Sequence, residues 1–446
     1  MKTTFMTGAM SVALLTAVSC SQTETDFDVA GGGKDQQVAL GVSATINTGN
    51  ATKAVVDYKK ITYPIGDYAE AWCAPGLGIV LTNAAGTNWY NDDLSVYEGN
   101  HIWFMGDENG NNWISKKGAK GAAYDENKVD YNLSTEVGRV YAYYPYDASA
   151  TFPTGGTGAD FAEADLKINV AVKATGTIDA ATNNADKTWN GTSWINKTPT
   201  YLVTLADLTE KDYMYFDGHN AAGTETGRYV NNGHAGNAPS ANDNTNTTNP
   251  GSSINLTMKH ALSMVSFRVY DGGNLGTAGQ VKFTKFAITD RNDTGESAKK
   301  LVVNTQKMQI ANGTLEAGDP VTTGTIERTI SNYTLVQQIP SGAEGEYKFI
   351  ENKGNGVTGA AVSKIVSAIV YPTDFTALEG LTLTVTLTDS SSGTDVETDY
   401  PVNIPPRKWE ANKNYLYTLS AGRNKLNIVD VDVQEWTTED GGELPL

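Results

Sequence analysis

The side chains with the widest chemical reach here are two cysteines, Cys20 and Cys73, and four histidines, His101, His219, His234 and His260. Their spacing argues against catalysis. No two histidines stand at the i, i+4 separation of a helical metal site, and none has a second ligand beside it at a recognised spacing. His219 and His234 lie in a polar stretch where a solvated imidazole is the default. His260 opens the strand-like run KHALSMVSF and reads as a strand-end or half-buried structural side chain. There is no G-x-S-x-G elbow, no glycine loop ahead of a helix to cradle a phosphate, and no C-x-x-C pair. The acidic runs GDENGNN (106–112) and DVDV (430–433) do not fit a calcium loop with its glycine and terminal glutamate. Among 51 acidic residues a carboxylate pair for glycoside hydrolysis could assemble in space, but nothing in the sequence points to one. The chain reads as a non-enzyme with no cofactor.

Cys20 carries a different chemistry, acylation. Lys2 supplies a positive start, Phe5 to Val18 form an apolar run too short to span a bilayer, and the small Ser19 precedes the cysteine. Residues 1–19 resemble a bacterial lipoprotein signal, whose cleavage exposes Cys20 for a lipid. Ala17 departs from the leucine that a strict lipobox prefers, and an ordinary secretory signal with an incidental cysteine is the alternative. Cys73 is then a lone thiol, read as a buried structural cysteine.

The elements around these residues read as strands. A chain of 446 residues suits two or three domains, and 45 glycines with 22 tyrosines lean towards short strands joined by turns. A net charge of −18 argues against nucleic acid and against an electrostatic hold on an anionic membrane. In VALGVSATI (38–46), Val38, Leu40, Val42, Ala44 and Ile46 alternate with small or polar residues, the period-two signature of a strand with one buried face. Burying its four larger side chains would contribute roughly 6–12 kcal/mol, at about 1.5–3 each. Further strands are expected at HIWFM (101–105), RVYAYYPY (139–146), LKINVAV (166–172), YLVTL (201–205) and DYMYF (212–216). In the second half they continue with ALSMVSFRVY (261–270), QVKFTKFAI (280–288), KKLVVNT (299–305), LTLTVTL (381–387), NYLYTL (414–419) and LNIVDVDVQEW (426–436). DFAEADL (160–166) is the best helical candidate and is short enough to be a turn. The expected organisation is a signal (1–19), a propeptide (20–53), a β-sandwich domain (54–217), an Asn/Gly-rich loop or linker (218–255) and a second β-sandwich domain (256–446).

Several segments together resemble the fimbrillin proteins of Bacteroidetes. They are VYAYYPYD (140–147), LTEKDYMYFDG (208–218), MKHALSMVSFRV (258–269), the set Trp409, Asn412, Tyr415, Tyr417 and Leu419, and the terminal Val431, Val433 and Trp436. The resemblance implies an all-β chain of two transthyretin-like Greek-key sandwiches and a role in a cell-surface pilus that supports adhesion. It implies a precursor lipid-anchored to the outer membrane, where the acidic SQTETDFD after Cys20 resembles a surface-export signal. It also implies a trypsin-like surface protease that removes the first strand, and partner subunits that replace it by β-strand addition. The candidate processing bond is Lys53–Ala54, with Lys53 where the family has arginine, so the protease either tolerates lysine or does not act. On this reading residues 38–46 are a placeholder strand. The tail TTEDGGELPL is a poor donor, which suits an accepting subunit such as a tip. The rival reading is a surface glycan-binding lipoprotein, for which Trp72, Trp89, Trp103, Trp113, Trp189 and Trp194 offer stacking surfaces.

Overall fold

A computed structural model describes residues 38–435, apart from 47–75, 91–99, 117–130, 219–226, 291–300, 349–363 and stretches of six residues or fewer. The principal strands of the first half are β1 (Gly41–Ile46), β2 (Leu77–Asn83), β3 (His101–Gly106), β4 (Trp113–Lys116), β5 (Gly138–Tyr144), β6 (Lys167–Val170), β7 (Thr175–Asp179), β8 (Thr204–Leu205) and β9 (Met214–Phe216). Those of the second half are β10 (Ser253–His260), β11 (Ser263–Asp271), β12 (Val281–Asp290), β13 (Gln306–Gln309), β14 (Ile326–Ser331), β15 (Ile365–Val370), β16 (Leu381–Asp389), β17 (Val396–Ile404), β18 (Lys413–Gly422) and β19 (Lys425–Glu435). The all-β expectation holds. The helical candidate at 160–166 holds one 3₁₀ turn, Glu163–Asp165.

The first sheet runs β1-β10-β9-β5-β2-β3-β4. It curls so far that its two ends, β1 and β4, lie close to each other. One face lines the inside of the curl with Leu77, Ile79, Leu81, Ile102, Val140, Ala142, Met214, Leu256 and Met258. The other face carries Val80, Tyr141, Tyr143 and Tyr213 and packs against a small sheet of β6, β13 and Leu315–Glu316. A strand buried on both faces explains why VYAYYPY has no polar alternation. The small sheet supplies Ile168, Val170 and Met308 to that second core.

The second unit is a sandwich. One sheet runs β8-β15-β11-β18-β19 and the other β17-β16-β12-β14-β7. Their inner faces meet in one core that includes Phe267, Phe283, Phe286, Leu383, Val385, Tyr417 and Leu419. LTLTVTL behaves as its alternation requires, with Leu381, Leu383, Val385 and Leu387 inward. Trp409 is fully buried against Phe375, and its Nε1–H donates to the Tyr417 hydroxyl at 3.0 Å. Asn412 takes a left-handed φ of 62°, a conformation that asparagine tolerates better than most residues.

Strand pairing crosses the expected boundaries at residues 217 and 256. β10 pairs antiparallel with β9 in the first sheet, although the pairing uses Met258 to His260, which lie beyond residue 256. β13 pairs with β6, while β7 and β8 from the first half run parallel to β14 and β15 of the second. Composition locates polar stretches, but partner choice depends on which edges the folded chain leaves available. The described residues of the Asn/Gly-rich stretch are tied down: Asn231 Oδ1 accepts the N–H of Gly233 and Gly251, and Asn244 Nδ2 donates to the carbonyls of Tyr229 and Ser253.

Candidate functional site

The segment 38–46 enters the fold by changing partners once. Val38–Ala39 pairs with Asn132–Leu133, and the N–H of Leu40 donates to Tyr131 O at 2.8 Å. At Gly41 the chain moves across: its N–H donates to Ser252 O at 2.9 Å, and Gly41 to Ile46 pair in parallel with Ser253 to Met258 of β10. A Cβ on Gly41 would stand 2.7 Å from Ser253 Oγ, so the close approach at the start of β1 suits glycine.

β10 offers a period-two face. Ile254, Leu256 and Met258 point into the curl, where Leu40 and Ala44 join them as buried residues and Val42 as a half-buried one. Val38 is half-buried at the entry, and the side chain of Ile46 lies outside the described residues. Among the described residues β1 pairs by backbone with β10 alone, and it stands at the rim of the curled sheet facing β4. It is therefore an edge strand that completes an apolar interior. The lysine–alanine bond at 53–54 and the lipidation candidate Cys20 lie outside the described residues, as do the side chains of Trp72, Trp113, Trp189 and Trp194. Trp89 is buried beside Phe152 and Phe161, and Trp103 stacks on Tyr146 at 5.4 Å. Of the histidines, His101 and His260 are buried.

Sequence reasoning missed β10 as a strand, because SINLTMKH directly follows the polar stretch; its alternation of Ile254, Leu256 and Met258 was the available signal. It also missed three buried carboxylates in one short crossing, Asp207, Glu210 and Asp212, which link β8 in the second unit to β9 in the first. Asp207 accepts Lys173 Nζ at 2.8 Å and the Thr177 N–H at 2.6 Å. Burial pushes its carboxyl up, but the hydrogen bonds from Lys173, Thr177 and Thr209 prevail and hold it at about 2. Glu210 pairs with Arg328 of β14 and accepts the Ile369 N–H of β15; burial pushes its carboxyl up against the pull of Arg328. Asp212 Oδ1 lies 2.9 Å from Nδ1 of His260 on β10. Arg228 is fully buried between Tyr141 and Phe216 and donates to the carbonyls of Phe216 and Ala311. These groups do structural work between strands. Among the described residues no three His, Cys, Asp or Glu side chains are grouped to hold a metal.

Residues 237–436 match the family model described as fimbrillin-like. A fimbrial protein from Bacteroides vulgatus shares 13% identity over 90% of this chain and 100% of its own, with a TM-score of 0.47. The fimbrial anchor protein of Porphyromonas gingivalis shares 8% identity over 90% of this chain and 98% of its own, with a TM-score of 0.29. No curated protein matches the chain.

Proposed function

We propose that this chain, fimbrillin-like over residues 237–436, is a structural subunit of a cell-surface pilus that polymerises by strand exchange at the β1 edge. The observation that carries the reading is the position of β1. It is an edge strand on a curled sheet, it seals the apolar interior with its Ala44 and the Leu40 just before it, and it precedes the candidate processing bond at Lys53.

The physics of the exchange follows from connectivity. While residues 38–46 are joined to the rest of the chain, their effective concentration at the β10 edge is high, and they rebind faster than a free strand can enter. A cut at Lys53–Ala54 makes the same strand an ordinary ligand that can leave. Its departure would uncover Ile254, Leu256 and Met258 together with the unpaired edge of β10, a template for a strand from a neighbouring subunit. Parallel pairing is slightly less stable per residue than antiparallel, which favours a replaceable β1. On this reading Cys20 carries the lipid that holds the precursor at the outer membrane, and a trypsin-like surface protease releases the subunit into the fimbrium. The chain takes an accepting place, as a tip or accessory subunit would, and contributes to adhesion.

The experiment is to cleave the purified precursor at Lys53 and add a labelled peptide of residues 38–46. Cleaved protein should bind the peptide and lose oligomer formation or partner capture in its presence. Cleaved protein that stays monomeric, ignores the peptide and exposes no new apolar surface would refute the mechanism.

A further inference from the structure

Among the described residues, the large hydrophobic side chains most open to solvent are Val396 (53%), Val429 (41%) and Val433 (45%). All three lie on β17 and β19, the last strands of the two sheets of the second sandwich on one side. These strands lie alongside each other and start from the same end of the sandwich, where the Gly272 N–H donates to Ala421 O and the Ser390 N–H to Gln280 O. The opposite side is closed by β7 and β8, strands lent by the first half of the chain, whose Ile178 and Leu205 are buried in the core. On the β17–β19 side nothing equivalent covers the seam among the described residues.

Register shows that, among the described residues, the core is only partly covered there. Val431 and Val433 stand opposite the buried Tyr417 and Tyr415, so they point to the core side of their sheet. Tyr400 and Val402 stand opposite the buried Val385 and Leu383 and do the same from the other sheet. Yet Tyr400, Val402, Ile428 and Val431 are only partly buried, and Val433 is exposed. Inward-facing side chains left half in water line a groove where one more strand would fit.

The two edges differ as acceptors. β17 carries Pro401, which has no N–H to offer, whereas β19 runs for 11 residues without proline. The charge leans acidic: the described side chains of the two strands include Glu397, Asp399, Asp430 and Asp432 against Lys425. We infer that the free edge of β19 receives a β-strand from a separate protein chain, an extended segment that alternates apolar residues, laid over Val431 and Val433, with basic residues turned to Asp430 and Asp432. This site is distinct from the β1 edge and does not depend on cleavage at Lys53.

The test uses the uncleaved full chain, in which β1 still occupies its edge. Two labelled nine-residue peptides are titrated by fluorescence anisotropy, one alternating valine with lysine and one alternating valine with glutamate, and hydrogen exchange is followed with and without each. The lysine peptide should bind and slow exchange of the Lys425–Glu435 amides, with the glutamate peptide at least about tenfold weaker. Val433→Lys, or Asp430→Lys with Asp432→Lys, should each weaken the lysine peptide by about tenfold or more while the thermal midpoint stays unchanged. Equal binding of the two peptides, or protection that falls on β10 instead, would overturn the inference. So would edge amides already protected in the free protein, which would mean that a second copy or the chain's own residues occupy the edge.

Discussion

At the scale of single residues, His101 gives the clearest test. Its Nε2 lies 2.8 Å from the Tyr143 hydroxyl, with Phe152 and Tyr146 packed on the ring. Burial pushes its pKa down to about 4, with Asp147 pulling weakly the other way. The unfolded chain therefore binds a proton on this histidine between about pH 6.5 and 4 while the folded chain does not. Stability from this group is fully present above that window and is lost as the pH falls through it, by roughly 3 kcal/mol in all. Urea unfolding at pH 7, 5.5 and 4.5 should show this slope in the wild type and a flatter one in His101→Gln; parallel curves would contradict it. Asp207, held at about 2, has the same sign in a lower window: its contribution is present above about pH 3.8 and fades towards 2.

At the scale of elements, the crossing from β8 to β9 ties the two units together through buried charge. Arg328 and Glu210 are both fully buried, and Glu210 also takes the Ile369 N–H. Arg328→Met would leave that carboxylate unpaired and should cost about 3–5 kcal/mol, whereas the double change with Glu210→Leu should cost less than Arg328→Met alone. A double-mutant cycle by denaturant unfolding checks this, and additive losses would show that the pair is not coupled. The β1 element has its own prediction. Leu40 is buried inside the curl, so Leu40→Ala should destabilise β1's hold on β10 by about 2–5 kcal/mol. After cleavage this variant should exchange a labelled 38–46 peptide faster than wild type; an unchanged rate would mean that β1's departure does not limit exchange.

At the scale of the whole molecule, the proposed lipid anchor at Cys20 and the proposed cut after Lys53 can each be tested on cells. Cells fed labelled palmitate should incorporate it into the wild-type chain and not into Cys20→Ala; equal label in both would end the lipoprotein reading. Lys53→Gln should leave a longer, lipid-retaining form on the cell. The same mature mass in wild type and variant would place the processing site elsewhere.

The amino-acid sequence alone determined the local rules: the period of two in LTLTVTL and VALGVSATI, the lack of any sustained helical period, and a Trp–Asn–Tyr pattern that the fold uses as a buried indole, a left-handed asparagine and two core tyrosines. These are short-range signals, because side-chain alternation and turn conformation are set within a few residues. Partner choice was not legible. That β10 would join the first sheet, that β7 and β8 would close the second sandwich, and that β1 would lie parallel at the rim of a curl are long-range pairings, fixed by which edges remain open once the cores have formed. The same holds for Asp207, Glu210 and Asp212: nothing in their local sequence marks them for burial, and only the packing of Lys173, Arg328 and His260 around them makes three buried carboxylates tolerable.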